Sequence, residues 1–325
     1  MIIVRLMGGL GNQMQQYALY RKFETLGKEA RLDTSWFSEK IQKTMQAPRM
    51  LELDRFENLA LKKASKEEVR ALLGRQYEDK EGVMEKIRRK MNPAGAVVFE
   101  ETEMYHPEVF EWDSKYLVGY WACEVYYADI LGKLRSEIRF PQSADPHNME
   151  VAEEMERTVS VSVHIRRGDY LDAANIQMFG NICTESYYES AIRYIRENYE
   201  NPVFYIFSDD TDYVRSKYQG REYRIVDWNK GDNSLYDMML MSHCRHNICA
   251  NSTFSFWGAR LNGHADKIMI RPSIHKNTQV CVPEQMQKLW EGYTLITPKG
   301  EVILPDQAKR KADTFDILPE KWYAK

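Results

Sequence analysis

The stretch VSVHIRRGDYLD, Val161 to Asp172, opens as a buried strand and ends in charge. Its first residues alternate valine and isoleucine with serine and histidine, a pattern suited to a strand inside a sheet. Arg166 and Arg167 follow at once, then Gly168 and Asp169. Charged side chains are seldom buried without partners. The strand therefore either surfaces here or delivers its arginines to an anion. Period-two alternation sends His164 and Arg166 one way and Ile165 and Arg167 the other. One arginine is expected to meet a ligand while the other pairs with an acid at the domain edge. Pairing of an arginine with Asp169 or Asp172 as plain scaffolding is the alternative.

Outward from this stretch the pattern is regular. Strand-like segments near 158–165, 202–210, 223–228, 246–252 and 266–272 alternate with helix-like segments near 184–198, 209–218, 233–244 and 253–263. Such alternation predicts a parallel sheet covered by helices, with 266–272 as its last strand. The first half repeats the theme less cleanly. Residues 1–7 read as a strand, GGLGN as a tight turn, and the following segment as a helix ending near Gly27. Residues 29–37 and 115–121 read as further strands, and 124–140 as a helix. Ser65 and Glu68 have the spacing of a capping box. The polar, turn-rich run from Pro141 to His147 reads as a linker. The predicted fold is α/β, with two Rossmann-like domains, 1–145 and 146–325, facing each other across a cleft. Ligands of such sheets sit at the carboxyl ends of the strands, where His164 to Asp169 are expected to lie.

A net charge of −3 supplies no global basic field, which argues against a nucleic-acid partner. Cysteine is odd in number, five, with no C-x-x-C pair, so neither a disulfide framework nor a structural zinc site is expected. The start MIIVRLMGGLGNQ lacks the pattern of a signal peptide, and a reducing cytoplasm is the expected compartment. The basic run EKIRRKM, Glu85 to Met91, reads as a solvated helical face. Its other reading is weak peripheral contact with an anionic membrane surface, the inner membrane face.

Three further motifs carry chemistry. GGLGNQM, Gly8 to Met14, has two readings: a turn that needs glycine for its backbone angles, or a phosphate-facing turn. In the second, Gly9 and Gly11 bring backbone close to the donor, Asn12 adds an amide, and Gln13 contacts sugar. With Asp33 as a ribose-binding acid the same turn would suit a dinucleotide, although Met14 stands where the third glycine belongs. In IFSDD, Asp209 and Asp210 offer cation binding, acid–base work or sugar-hydroxyl contacts. Capping of the next helix is the plainer reading for at least one of them. ANSTFSFWGARL sets Asn251, Ser252, Thr253 and Ser255 at a strand-to-helix junction, where hydroxyls and free N–H groups suit an anion. Asp237, on the preceding helix, offers a carboxylate able to accept two protons from guanine.

GGLGNQMQQYA, VHIRRGDY, FSDD and NSTFSFWGARL stand in an order and at spacings that resemble bacterial α-1,2-fucosyltransferases of glycosyltransferase family 11. The resemblance runs from about Met1 to Leu261. It implies the two-domain GT-B arrangement, with the acceptor on the first domain and the donor on the second. It also implies GDP-L-fucose as donor, a galactose-terminated oligosaccharide as acceptor, inversion at the anomeric carbon, no cofactor and no required metal. Arg166 would then stabilise the leaving diphosphate and Asp169 is the candidate base. The donor would be held by Gly9, Gly11, Asn12, His164, Arg166, Arg167, Asp237, Asn251, Ser252, Thr253 and Ser255. An NAD(P)-dependent oxidoreductase and a non-catalytic nucleotide- or sugar-binding protein are the competing functions. The first leaves the two arginines unexplained.

Overall fold

In the computed structural model, which describes residues 1–45, 47–73, 96–100, 105–173, 175–277 and 292–304, the quoted stretch forms the central strand of a seven-stranded sheet. This strand, β5 (Ser160–Ile165), is buried along its whole length. Val161, Val163 and Ile165 pack on one face, against Tyr187, Ala191 and Ile195 of a helix at Glu185–Asn198. Ser160, Ser162 and His164 occupy the other face. Buried polar groups need partners, and here the serines have them. The Ser160 hydroxyl donates to the Met155 carbonyl at 2.7 Å, and the Asn247 amide donates to the Ser162 hydroxyl at 2.8 Å.

The chain divides into two compact units, Met1–Pro141 and Gln142–Lys325. In the first, β1 (Ile2–Arg5), β2 (Ala30–Asp33), β3 (Val97–Phe99) and β4 (Lys115–Val118) form a sheet of order β2-β1-β4-β3. All its pairings are parallel. Helix α1 (Leu10–Thr25) follows β1, and α2 (Lys66–Leu73) starts with the expected capping box. There Ser65 N donates to Glu68 at 2.7 Å and Glu68 N donates to the Ser65 hydroxyl at 3.1 Å. The helix expected over 124–140 is broken. Two single 3₁₀ turns precede α3 (Leu131–Glu137). Burial of Trp121, Tyr126 and Tyr127 together overrides helical spacing there.

The second unit opens with a helix that begins within the predicted linker and runs beyond it. Asp145 caps α4 (Pro146–Arg157) through the His147 amide, and Pro146 takes the first helical position, where its missing N–H is harmless. After β5 come α5 (the Glu185–Asn198 helix), β6 (Val203–Ser208), α6 (Thr211–Lys217), β7 (Tyr223–Val226), α7 (Leu235–His243), β8 (His246–Ile248), α8 (Thr253–Leu261) and β9 (Met269–Pro272). Residues 266–272 are not the last strand. β10 (Tyr293–Ile296) pairs parallel with β9, and β11 (Val302–Ile303) pairs antiparallel with β10. The sheet order is β11-β10-β9-β8-β5-β6-β7. From β5 the chain builds outward to β6 and β7, then returns to β8 on the other side and continues to β9 and β10. Strand order therefore reverses between β5 and β8, the place where doubly wound sheets hold ligands. The basic run Glu85 to Met91 lies outside the described residues. No helix among those residues is long and apolar enough to cross a membrane.

Candidate active site

The carboxyl ends of β5 and β8 bring HIRRGDY and ANSTFSFWGARL together. Both arginines of the first motif are paired with acids, where one was expected to be. Arg166 lies between two carboxylates. Its Nε and Nη2 reach Asp169 at 2.9 and 2.8 Å, and its Nη1 reaches Asp209 at 3.0 Å. Burial opposes the charge of Arg166, but Asp209 and Asp169 outweigh it and hold the guanidinium more firmly protonated than usual. Asp209 accepts from the Arg167 backbone N–H at 2.9 Å as well. A Cβ on Gly168 would stand 2.7 Å from Asp209, so this close approach requires glycine.

Arg167 turns away from Arg166. Its Nε donates to Asp210 at 2.9 Å, and its guanidinium lies 3.7 Å from the centre of the Tyr213 ring. Asp210 caps α6 through the Tyr213 amide at 3.1 Å. Both carboxylates of FSDD are thus engaged by arginine.

Tyr170 joins the two motifs, a role the sequence reading passed over. Its ring lies 5.6 Å from the Arg166 guanidinium and its hydroxyl donates to the Asn251 carbonyl at 3.0 Å. An aromatic residue four positions from an arginine in a strand-end loop was the available signal. His164 is buried, with its ring 5.8 Å from that of Phe254 at the start of α8. Burial, aided by Arg166, lowers its pKa to about 3, so the imidazole is neutral near neutral pH. Ser252 caps α8 through the Phe254 amide, and Thr253 follows half-buried.

Other expected donor contacts are committed elsewhere. The Asn251 amide donates to the carbonyls of Phe179 and His275 at 3.2 and 3.1 Å, tying β8 to neighbouring loops. The Ser255 hydroxyl bonds back to Ser252 O at 3.2 Å, inside its own helix. Gln13 is fully buried. Its amide donates to Gly8 O and Met50 O, both at 2.9 Å, and its carbonyl accepts from Glu52 N and Leu53 N. In the folded chain these three side chains bond to backbone. Gly9 is the N-cap of α1, with Gly11 and the half-buried Asn12 in its first turn. Asp33, the ribose-binding acid of the dinucleotide reading, accepts from Ser35 N and Ser35 Oγ at 2.9 and 3.0 Å and from the Tyr116 hydroxyl. It closes a turn.

Asp237 lies in the first turn of α7, which packs against α8. Its carboxylate accepts from Asn229 Nδ2 at 3.0 Å. Asn229 in turn exchanges two amide hydrogen bonds with Asn148, at 2.8 and 2.9 Å. Burial raises the Asp237 pKa to about 7, against the lowering effect of Asn229, and Asp227 adds to the rise. Among the described residues no group of three His, Cys, Asp or Glu side chains is placed to hold a metal ion.

Residues 109–293, more than half of the chain, match the family model of glycosyl transferase family 11. The chain belongs to glycosyl transferase family 11. This family 11 glycosyltransferase is 31% identical to an alpha-1,2-colitosyltransferase of Escherichia coli, over 99% of this chain and 97% of that one. It is 41% identical to the O-antigen biosynthesis glycosyltransferase WbnK of Escherichia coli, over 36% of this chain and 39% of that one. It is 28% identical to the galactoside alpha-(1,2)-fucosyltransferase 1 of Saimiri boliviensis boliviensis, over 40% of this chain and 39% of that one. The arginine cluster and the β8–α8 junction both fall inside the matched residues, and an oxidoreductase reading is set aside.

Proposed function

We propose that this glycosyltransferase moves L-fucose from GDP-L-fucose to the 2-hydroxyl of a terminal β-galactoside, inverting the anomeric carbon. The observation that carries the reading is the Arg166 guanidinium, fixed by Asp169 and Asp209 where strand order reverses between β5 and β8. A diphosphate leaving group gains charge as the glycosidic bond breaks. A positive charge already in place stabilises it without reorganising at that moment. Arg166 supplies that charge at the β-phosphate, and Arg167 extends the positive edge. The amino end of α8 and the hydroxyls of Ser252 and Thr253 receive phosphate oxygens. Asp237 accepts the two guanine protons, with His164 as a neutral neighbour of the same site.

In the reaction the acceptor oxygen bonds to the anomeric carbon as the bond from that carbon to the diphosphate oxygen breaks. The hydroxyl proton passes to the departing diphosphate. Asp169 was the candidate base, but its carboxylate is held by Arg166, which favours the diphosphate as proton acceptor. On this reading the second unit binds the donor and the first binds the acceptor, as a GT-B enzyme would.

A second donor deserves equal trial, because one relative matched over almost the whole chain is named for colitose. Colitose is fucose without its 3-hydroxyl. The test offers GDP-fucose and GDP-colitose separately with a panel of galactosides, followed by mass spectrometry and linkage analysis. A 1→2-linked fucoside supports the reading. Transfer of colitose alone replaces the donor, and a product with another linkage or no product from either donor overturns it.

A further inference from the structure

The first unit has its own reversal of strand order. From β1 the chain goes to β2 on one side, crosses to β3 at the far edge, and returns inward to β4. The carboxyl ends of β1 and β4 therefore flank a second ligand-binding position. The chain is built tightly there. Gln16, fully buried, spans both ends: its carbonyl accepts from Met7 N at 2.9 Å and its amide donates to Gly119 O at 2.8 Å. The Gln15 amide donates to Tyr120 O at 3.2 Å. The Glu100 carboxylate, at the end of β3, accepts from Tyr120 N and Trp121 N at 2.7 and 2.8 Å. Side chains from α1 and β3 thus fix four backbone groups of Gly119, Tyr120 and Trp121.

Two further features show how tightly this loop is constrained. Trp121 has φ of 53°, a left-handed conformation that a bulky aromatic rarely adopts, and its side chain is buried. A Cβ on Gly119 would lie 2.4 Å from Glu100 Cβ, so only glycine fits. Strain of this kind concentrates at ligand sites, where the surroundings hold it in place. Tyr120 is 42% exposed, while Trp121, Cys123, Tyr126 and Tyr127 are all buried.

We infer that Tyr120 is the platform on which the acceptor sugar stacks, and that the strained loop exists to present it. This rests on the reading of the enzyme as a galactoside transferase. The chemistry fits that acceptor class. The axial 4-hydroxyl of galactose leaves one face of the pyranose as a continuous patch of C–H groups, and an aromatic ring covers such a patch. The tyrosine hydroxyl adds a polar tip for a ring hydroxyl. Two rotatable side-chain bonds on a fixed backbone mean little ordering is needed on binding.

The experiment compares Tyr120→Ala, Tyr120→Phe and the unaltered enzyme, each measured for acceptor KM, donor KM and melting temperature with and without GDP. Tyr120→Ala should raise acceptor KM about tenfold or more, the loss expected of a well-placed aromatic anchor. Donor KM and the GDP-induced rise in melting temperature should hold, and Tyr120→Phe should raise acceptor KM about threefold at most. Acceptor KM within twofold of the unaltered enzyme in Tyr120→Ala, or an equal rise in donor KM, overturns the inference. So does a fall in melting temperature that Tyr120→Phe shares. Saturation-transfer NMR with N-acetyllactosamine needs no turnover and separates the two claims. If the enzyme binds that galactoside through Tyr120 but transfers neither fucose nor colitose, the donor reading fails and the platform stands. If it turns over galactosides with Tyr120 irrelevant, the reverse holds.

Discussion

Arg166 and Asp209 meet at 3.0 Å across two neighbouring strand ends, and the same carboxylate holds the Arg167 backbone N–H. The guanidinium is therefore aimed before any donor arrives. A contact that strengthens as charge develops affects turnover more than binding. Replacing Arg166 with Ala should lower kcat by about 100–1000-fold, the usual loss for a preorganised charge stabiliser. Arg166→Lys should recover only part, because an ammonium cannot reach Asp169 and Asp209 together while serving phosphate. Steady-state kinetics with both variants decide this, and full kcat in Arg166→Lys would sink it.

Arg167 is expected to behave differently. Its partners, Asp210 and the Tyr213 ring, tie the β5 loop to the start of α6. Partly exposed ion pairs and cation–π contacts are each worth about 0.5–1 kcal/mol. Arg167→Lys should therefore lower the melting temperature by about 2 °C and lower kcat far less than Arg166→Lys does. Differential scanning fluorimetry beside the kinetic assay compares the two directly.

GDP binding should depend on pH through Asp237. With a pKa raised to about 7 by burial, the side chain is protonated in the free enzyme below that value and ionised above it. Only the carboxylate accepts both guanine protons, so affinity for GDP should rise between pH 6 and pH 8. Stability runs the other way. The folded chain keeps a proton that the unfolded chain releases above the ordinary aspartate range, so this contribution fades as pH climbs through about 7. Asp237→Asn should flatten both profiles and weaken GDP binding by about 1–3 kcal/mol at pH 8. Calorimetric titrations at three pH values test it, and an unchanged GDP affinity would mark Asp237 as a framework residue.

Activity should persist in excess EDTA. Asp209 and Asp210 are the adjacent acids best suited by sequence to hold a cation, but Arg166 and Arg167 neutralise them. Inactivation by EDTA with recovery on adding Mg²⁺ or Mn²⁺ would show that the arginines give way to a metal.

Gln13→Ala should unfold the enzyme more easily and leave acceptor KM alone. The substitution removes the side-chain partner of four backbone groups, the Leu53 bond fully buried and the others partly so, with an expected loss of about 1–3 kcal/mol. Urea unfolding reports it, and a change in acceptor KM without loss of stability would return Gln13 to the sugar site.

Strand β5 and the motifs at its end were legible because alternation, composition and the abrupt change to arginine agree with one another. Alternating strands and helices pointed to a parallel sheet, but only the folded chain sets β8 beside β5. What could not be read was the partner of each polar side chain. Gln13 and Asn251 have amides equally suited to sugar or backbone, and only folding brings Met50 and His275 to them. Likewise nothing in HIRRGDY tells that Asp169 and Asp209 share Arg166, because Asp209 arrives from the next strand. Helix α4 was missed for another reason. Asp145 and Pro146 read as turn residues, although a cap followed by proline is also how helices begin.

The outer strands of the seven-stranded sheet bear on how the protein behaves at high concentration. β11 is only two residues long, and β7, at the opposite margin, exposes Arg224. Unpaired margins recruit strands from other molecules when they are long, flat and apolar. One margin here is too brief to template such addition and the other presents charge. Among the described residues, the buried parallel interior thus lies between margins that discourage self-stacking.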